Sequence, residues 1–177
     1  MPRTPPERFT LDRFATPIGD ALIVTDADGA LRAVDWEEHE DRMARLLARH
    51  YGLVDLAPGS SPKPVREAFA AYFTGQAGAL EGLTWRANGT AFQRSVWAAL
   101  CAIPAGETLS YAALAARIGA PKAVRAVGLA NGANPVGVVV PCHRVIGANG
   151  TLTGYGGGIP RKRWLLLHEG ATFREAA

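Results

Sequence analysis

Leu109–Pro135 reads LSYAALAARIGAPKAVRAVGLANGANP. Ser110 has the hydroxyl that a helix N-cap needs, able to accept an early backbone N–H. A helix is predicted from there through about Ile118, with Gly119 ending it. Pro121 sits where a second helix takes its first turn. That helix runs to about Asn131, where NGANP breaks the pattern. Two short helices across a glycine turn make a helix-turn-helix pattern. The second helix is built from small residues: Ala123, Val124, Ala126, Val127, Gly128 and Ala130, with Arg125 the one long cation among them. A helix that reads base edges in a major groove carries several long polar side chains. This one offers a nearly smooth surface that can lie close to a backbone or in a shallow groove, with Arg125 reaching between bases or to a phosphate. The same composition suits a tightly packed buried helix with one solvated arginine, and the helix pair alone leaves both readings open.

Upstream, TAFQRSVWAALCAIPAG (Thr90–Gly106) predicts a helix capped by Thr90, with Phe92, Val96, Trp97 and Leu100 on its inner face. Cys101, beside Leu100, is expected to be a small buried hydrophobe. Downstream, VVV (Val138–Val140) reads as a strand running into Pro141, which has no N–H and ends ladder pairing. Cys142 and His143 then sit at a strand terminus, followed by Arg144 and a glycine-rich loop, GANGTLTGYGGG. A thiol attacks only as thiolate, and its unperturbed pKa is about 8.5, so it needs a base. His143 is the obvious candidate. Adjacent side chains of an extended chain point to opposite sides, so the imidazole reaches the sulfur through a turn or a bridging water. A third group should orient the histidine. The acids of the second half are Glu107, Glu169 and Glu175. Glu169, ending the apolar helix RWLLLHEG, is the best placed.

The chain has 177 residues, enough for one ordinary domain or two small ones. No apolar run reaches the roughly 18 residues of a membrane span. The first residues, MPRTPPERFTLDRF, hold no apolar stretch of a secretory signal, so a cytoplasmic protein is expected. Two cysteines make neither a disulfide scaffold nor a zinc motif, so free thiols and no metal are expected. The net charge of +3 hides an asymmetry: residues 1–90 hold ten Lys/Arg against thirteen Asp/Glu, and residues 91–177 nine against three. The second half is the one able to face a polyanion, although chance surface charge gives the same figures. In the first half, ALIVTDADGALRAVDW (Ala21–Trp36) predicts two strands around an Asp28-Gly29 turn. EDRMARLLARH predicts a helix, LAPGSSPKP (56–64) a linker and PVREAFAAYFTG a further helix. No chemistry is visible in this half, and its expected role is structural.

Five stretches together carry a resemblance: FQRSVWAAL, IPAGETLSY, PKAVRAVGLANGANP, PCHRVIG, and GYGGG followed by LLLHEG. Over roughly residues 90–170 the chain resembles the O6-alkylguanine-DNA alkyltransferases, also called methylated-DNA–protein-cysteine methyltransferases. The implied fold is an α/β N-terminal domain (ribonuclease H-like, a small sheet plus helix; residues 1–85) joined to a mostly α C-terminal domain with a winged helix-turn-helix (86–177). The resemblance implies that Cys142 accepts the alkyl group, that His143 acts on it through a water and that Glu169 holds the histidine. Asn134 would brace the active-site turn. Arg125 would fill the space of the flipped base, on a helix whose Ala123, Ala126 and Gly128 approach the DNA. Tyr111 would rotate the 3′ phosphate and hand a proton to the leaving guanine. Val145 would offer its backbone to the base edge, and Tyr155 and Gly156 would line the pocket. The implied partner is double-stranded DNA carrying O6-alkylguanine, met by a monomer with no cofactor and no membrane, once per molecule. Two other readings use some of the same residues. One is a non-catalytic helix-turn-helix DNA-binding module sensing alkyl damage, which leaves Cys142 and His143 idle. The other is a hydrolase built on Cys142, His143 and Asn134, for which adjacent Cys-His is unusual.

Overall fold

In the computed structural model the described residues are 6–177. The reading of the leader rests partly on Met1–Pro5, which lie outside them. Strands β1 (Glu7–Thr16), β2 (Gly19–Thr25) and β3 (Leu31–Trp36) form an antiparallel meander. The β2–β3 turn is set by Asp26, whose Oδ1 accepts from the N–H of Asp28 and of Ala30, both at 3.0 Å. Gly29 supplies the positive φ of 81° that this turn requires. Helix α1 (Glu40–Tyr51) then carries the chain across the sheet to β4 (Val54–Pro58), parallel to β1, giving the order β3-β2-β1-β4. The predicted linker 56–64 therefore begins inside a strand. Pro58 is tolerated because β4 is an edge strand and the proline is its last residue. The break comes afterwards, and α2 (Lys63–Phe73) follows.

Alternation along β2 shows that both faces of the sheet are covered. Leu22 and Val24 pack with Phe9, Ala33, Met43 and Leu47 beneath α1. Ala21 and Ile23 face a larger core shared with α2, α3 (Ala91–Cys101), α5 (Val124–Gly132) and α6 (Ile159–His168). That core is continuous across the two halves of the chain. The free edge of β3 is also closed, at one end by Thr84 and Arg86 and at the other by the segment before Cys142. Leu31 N–H donates to Thr84 O (2.9 Å) and Arg86 N–H to Leu31 O (2.9 Å); Val34 N–H donates to Pro135 O (3.0 Å) and Gly137 N–H to Val34 O (3.0 Å). An unpaired strand edge is thereby removed, and the segment before Cys142 is fixed to the sheet.

The cap signals act as read. Thr90 and Gln93 form a reciprocal capping box on α3, at 3.1 and 3.0 Å. Ser110 Oγ accepts from Ala113 N–H at 3.1 Å and starts α4 (Tyr111–Arg117). Pro121 is not in the first turn of α5, which starts at Val124; it lies in the turn before. Cys101 is exposed, against expectation. It is the last residue of α3, and one step past Leu100 turns it about 100° off the buried stripe. Short strands β5 (Leu109–Ser110) and β6 (Val145–Ile146) pair in parallel beside α4.

Val138–Val140 are not a strand. They form a buried turn in which Val138 has φ 66°, the only positive φ outside glycine among the described residues. Val136 takes the contact with β3, and the chain must then reverse to deliver Cys142. Val140 N–H donates to Val136 O at 3.0 Å and Cys142 N–H to Val140 O at 2.8 Å. Val138 and Val140 bury their side chains in the turn and Val139 is half-buried, so the preference that β-branched residues express for a pleated surface is met without one. Among the described residues no cluster of His, Cys, Asp and Glu is arranged to hold a metal ion, and no helix is long and apolar enough to cross a membrane.

Candidate active site

Cys142, His143 and Arg144 form one 3-10 turn directly after Pro141. A tight turn, unlike an extended chain, lets consecutive side chains fan out. Cys142, 8% exposed, faces a slot lined among others by Trp36, Arg42, Asn131, Asn134, Tyr155 and Gly156. The slot holds about 40 Å³, little more than one water's share of liquid volume. His143 lies behind it, fully buried, with Nε2 2.9 Å from Glu169 Oε1. A carboxylate only accepts, so Nε2 carries the proton and Nδ1 the lone pair. Nδ1 is buried and meets no protein partner.

Glu169 is held from three sides. Arg144 donates Nε to Oε2 and Nη2 to Oε1, both at 2.9 Å, and its Nη1 donates to Ile103 O at 2.6 Å. Tyr72 on α2 donates its hydroxyl to Oε1 at 2.7 Å. Burial alone would raise the Glu169 pKa, but His143 and the Arg144 fork outweigh it and pull it down to about 2. Burial lowers the His143 pKa, with Glu169 opposing, which favours a neutral imidazole. Burial likewise raises the Cys142 pKa, while Asn134 and the charges of Lys162 and Arg42 pull the other way. The resting pair is thus a thiol and a neutral histidine, with a carboxylate behind.

Asn134 spans the turn: its Oδ1 accepts from Val136 N–H at 3.0 Å and its Nδ2 donates to Val140 O at 2.8 Å. Both main-chain groups of Val145 are engaged. Its N–H donates to Cys142 O, and its carbonyl accepts from Lys162 Nζ at 2.5 Å. Tyr111, opening α4, accepts a hydrogen bond from the Thr153 hydroxyl at 3.1 Å, and its ring lies against Gly128 of α5. Arg125 and Ala126 are exposed on the outer side of α5, with Ala123 and Gly128 half-buried. The nearly smooth helix carries one large apolar side chain there, Leu129, 73% exposed. The slot therefore gathers Cys142, Asn134, Tyr155 and Gly156. His143 and Glu169 stand behind the sulfur, and Tyr111, Val145 and Arg125 are outside its lining.

Several contributors escape a reading of the sequence. Asp35, Trp36 and Arg42 come from the half expected to be only structural. Asp35 holds Arg42 through Nε (3.0 Å) and Nη2, and Arg42 Nη1 donates to Gly156 O. Arg161 donates Nη1 to Gly157 O (3.1 Å) and Nε to Ile18 O (2.9 Å), and lies over the Trp36 ring. A Cβ at Gly157 would come within 2.6 Å of the Trp36 indole nitrogen, so the loop has to be glycine to lie there. Lys162 is fully buried and also donates to Thr153 O at 3.2 Å; burial lowers its pKa to about 8. The glycine run signals a close neighbour, but nothing in the sequence says that positions 35–42 supply it.

A family profile described as "6-O-methylguanine DNA methyltransferase, DNA binding domain" matches residues 91–171. The methylated-DNA–protein-cysteine methyltransferase of Salmonella typhimurium is 49% identical over 165 residues, 92% of this chain and 96% of that protein. The crystal structure of Mycobacterium tuberculosis O6-methylguanine methyltransferase aligns with TM-score 0.76 at 41% identity, covering 92% of this chain and 93% of that one. The Mycobacterium tuberculosis OGT in complex with DNA aligns with TM-score 0.75 at 42% identity, covering 91% and 92%. Identity of that extent, along nearly the whole of both chains, makes this chain a member of the methylated-DNA–protein-cysteine methyltransferase family.

Proposed function

We propose that the protein repairs alkylated DNA by moving the alkyl group from O6 of a flipped-out guanine to its own Cys142. One observation carries the reading: the sulfur faces a slot while His143, its proton-bearing nitrogen fixed by Glu169, keeps a buried lone pair on Nδ1 with no protein partner. A water between Nδ1 and Sγ relays the thiol proton to Nδ1, leaving a thiolate and an imidazolium held by Glu169. The sulfur attacks the alkyl carbon, the carbon–O6 bond breaks, and its electron pair returns to the purine. Tyr111 supplies the proton that leaves guanine neutral. The product thioether has no ready hydrolysis route, so each molecule acts once, and no group beyond protein and substrate takes part. It works as a monomer in the cytoplasm, where thiols stay reduced.

The remaining roles follow from the same reading. We take α4 and α5, with β5 and β6 as the wing, as a winged helix-turn-helix docked on duplex DNA, and the sheet with α1 as ribonuclease H-like. A base in a duplex hides its O6 substituent and must leave the stack, at a cost of a few kcal/mol. Arg125 offsets part of that by occupying the vacated position. Ala123, Ala126 and Gly128 let the helix come near the minor groove. The slot must widen to take a purine, and the glycine-rich wall Gly154–Gly158 can close over a flat base without side-chain clashes. Tyr155 and Gly156 then line the pocket, Val145 presents the second lone pair of its carbonyl to the base edge, and Asn134 keeps the turn in shape.

The test is intact mass after mixing with duplex DNA containing O6-methylguanine. A gain of one methylene, mapped to Cys142, is expected. Tight binding without a gain points to a damage-sensing module. Turnover of a thioester with no lasting gain points to a hydrolase.

A further inference from the structure

We propose that Thr153 is a positioning residue for the transfer: its hydroxyl donates to the Tyr111 oxygen, which keeps the phenol proton free for the departing guanine and steadies the phenolate left behind. The inference deepens the transfer reading above and rests on it. Thr153 lies in the loop between β6 and α6 and is held at three points. Its carbonyl accepts from Lys162 Nζ at 3.2 Å, and Lys162 is fully buried. Its methyl lies against Gly147, where an added Cβ would come within 3.2 Å of it. Its hydroxyl donates to Tyr111 Oη at 3.1 Å. Branching at Cβ ties methyl and hydroxyl together, so seating the one against Gly147 aims the other at Tyr111. Tyr111 is fixed from its own side: it is the first residue of α4, just after the Ser110 cap, and its ring lies against Gly128.

A valine would pack equally well against Gly147, so packing alone does not call for the hydroxyl. A hydroxyl has one proton to give. Were Tyr111 to donate to Thr153, that proton would be engaged within the protein. With Thr153 donating, it stays available to the substrate. Alkyl transfer to sulfur leaves the electron pair of the broken bond on the purine. The Tyr111 O–H bond then breaks, its proton goes to the purine, and its electron pair stays on the phenol oxygen. The Thr153 O–H meets that new charge without moving. His143 meanwhile holds the proton taken from Cys142, and its return to Tyr111 through solvent restores both side chains. Hydrogen bonds to ionised groups are roughly twice as strong as neutral ones. The contact is therefore worth more after the proton has left than before, and only such a difference speeds the step.

The experiment measures the first-order rate of Cys142 benzylation by saturating O6-benzylguanine, read as intact mass of the whole protein. Thr153→Val, which replaces only the hydroxyl by a methyl, is expected to react about tenfold more slowly, the loss that accompanies one hydrogen bond to a charged group. The concentration giving half the maximal rate should change by less than about threefold, because the contact strengthens only as the proton leaves. Thr153→Ser should restore the rate. In a Tyr111→Phe background there is no phenol oxygen to serve, so adding Thr153→Val should change the rate by less than about twofold. Thr153→Ala takes the place of the valine variant if that one does not fold. A wild-type rate in the valine or alanine variant, equal slowing in both backgrounds, a loss confined to affinity, or no rescue by serine would overturn the proposal and leave alkyl transfer standing. Tyr111→Phe reacting as fast as the wild type would take Tyr111 out of proton delivery, and Thr153 with it. No benzyl group on Cys142 of the wild type would overturn the transfer reading and this one together.

Discussion

The β1–β4 sheet and the Asn131–Arg144 segment obey different rules. In the sheet, local preference and final structure agree: apolar residues alternate onto two cores, and an Asp-Gly turn joins β2 to β3. In the segment they conflict. A valine sits at positive φ, the side chains of Asn131 and His143 each keep an unpaired buried atom, and a charged pair is sealed from water. Such violations are expensive and gather where a protein does chemistry. Stability resides in the first region, and the second spends some of it on reactivity.

Substitutions that separate these two properties sharpen the contrast. Cys142→Ser has the largest expected effect: transfer stops while duplex binding, followed by gel shift, persists. Residual dealkylation by the serine variant would contradict the assignment. Arg125→Ala should slow repair of duplex DNA far more than reaction with free O6-benzylguanine; equal loss on both would remove the flipping role. Glu169→Gln leaves Arg144 buried without its counter-charge, and a loss of about 3–5 kcal/mol is expected in urea unfolding. The wild-type protein should show the same dependence through pH. The Glu169 pKa is depressed in the folded state, so its contribution is whole above its ordinary 4.5 and drains away as pH falls toward about 2. A flat stability profile across that window would mean the fork is not holding the carboxylate. Leu22→Ala, in the sheet, should cost about 2–5 kcal/mol and leave the transfer rate per folded molecule unchanged.

The parts legible in the sequence are those fixed by neighbours in the chain. Ser110 and Thr90 announce their helices because a cap acts over three residues. The pairing of His143 with Glu169 could be argued because the second half has so few acids. What could not be read depends on contacts across the fold. VVV looks like a strand until Val136 and Asn134 show where the chain must reverse. Cys101 looks buried until the helix phase is known to a single residue. Arg42 reaches Gly156 across 114 positions, a distance that leaves no trace in local composition.

Val34 in β3 holds Pro135 and Gly137 by main-chain hydrogen bonds, and Cys142 follows a few residues later. The reactive end of the molecule is thus stitched to a strand laid down a hundred residues earlier. A fragment beginning after that strand would carry every residue of the DNA-binding profile, yet its nucleophile would hang from an unanchored tether. The half of the chain that carries no acceptor is what gives the acceptor an address.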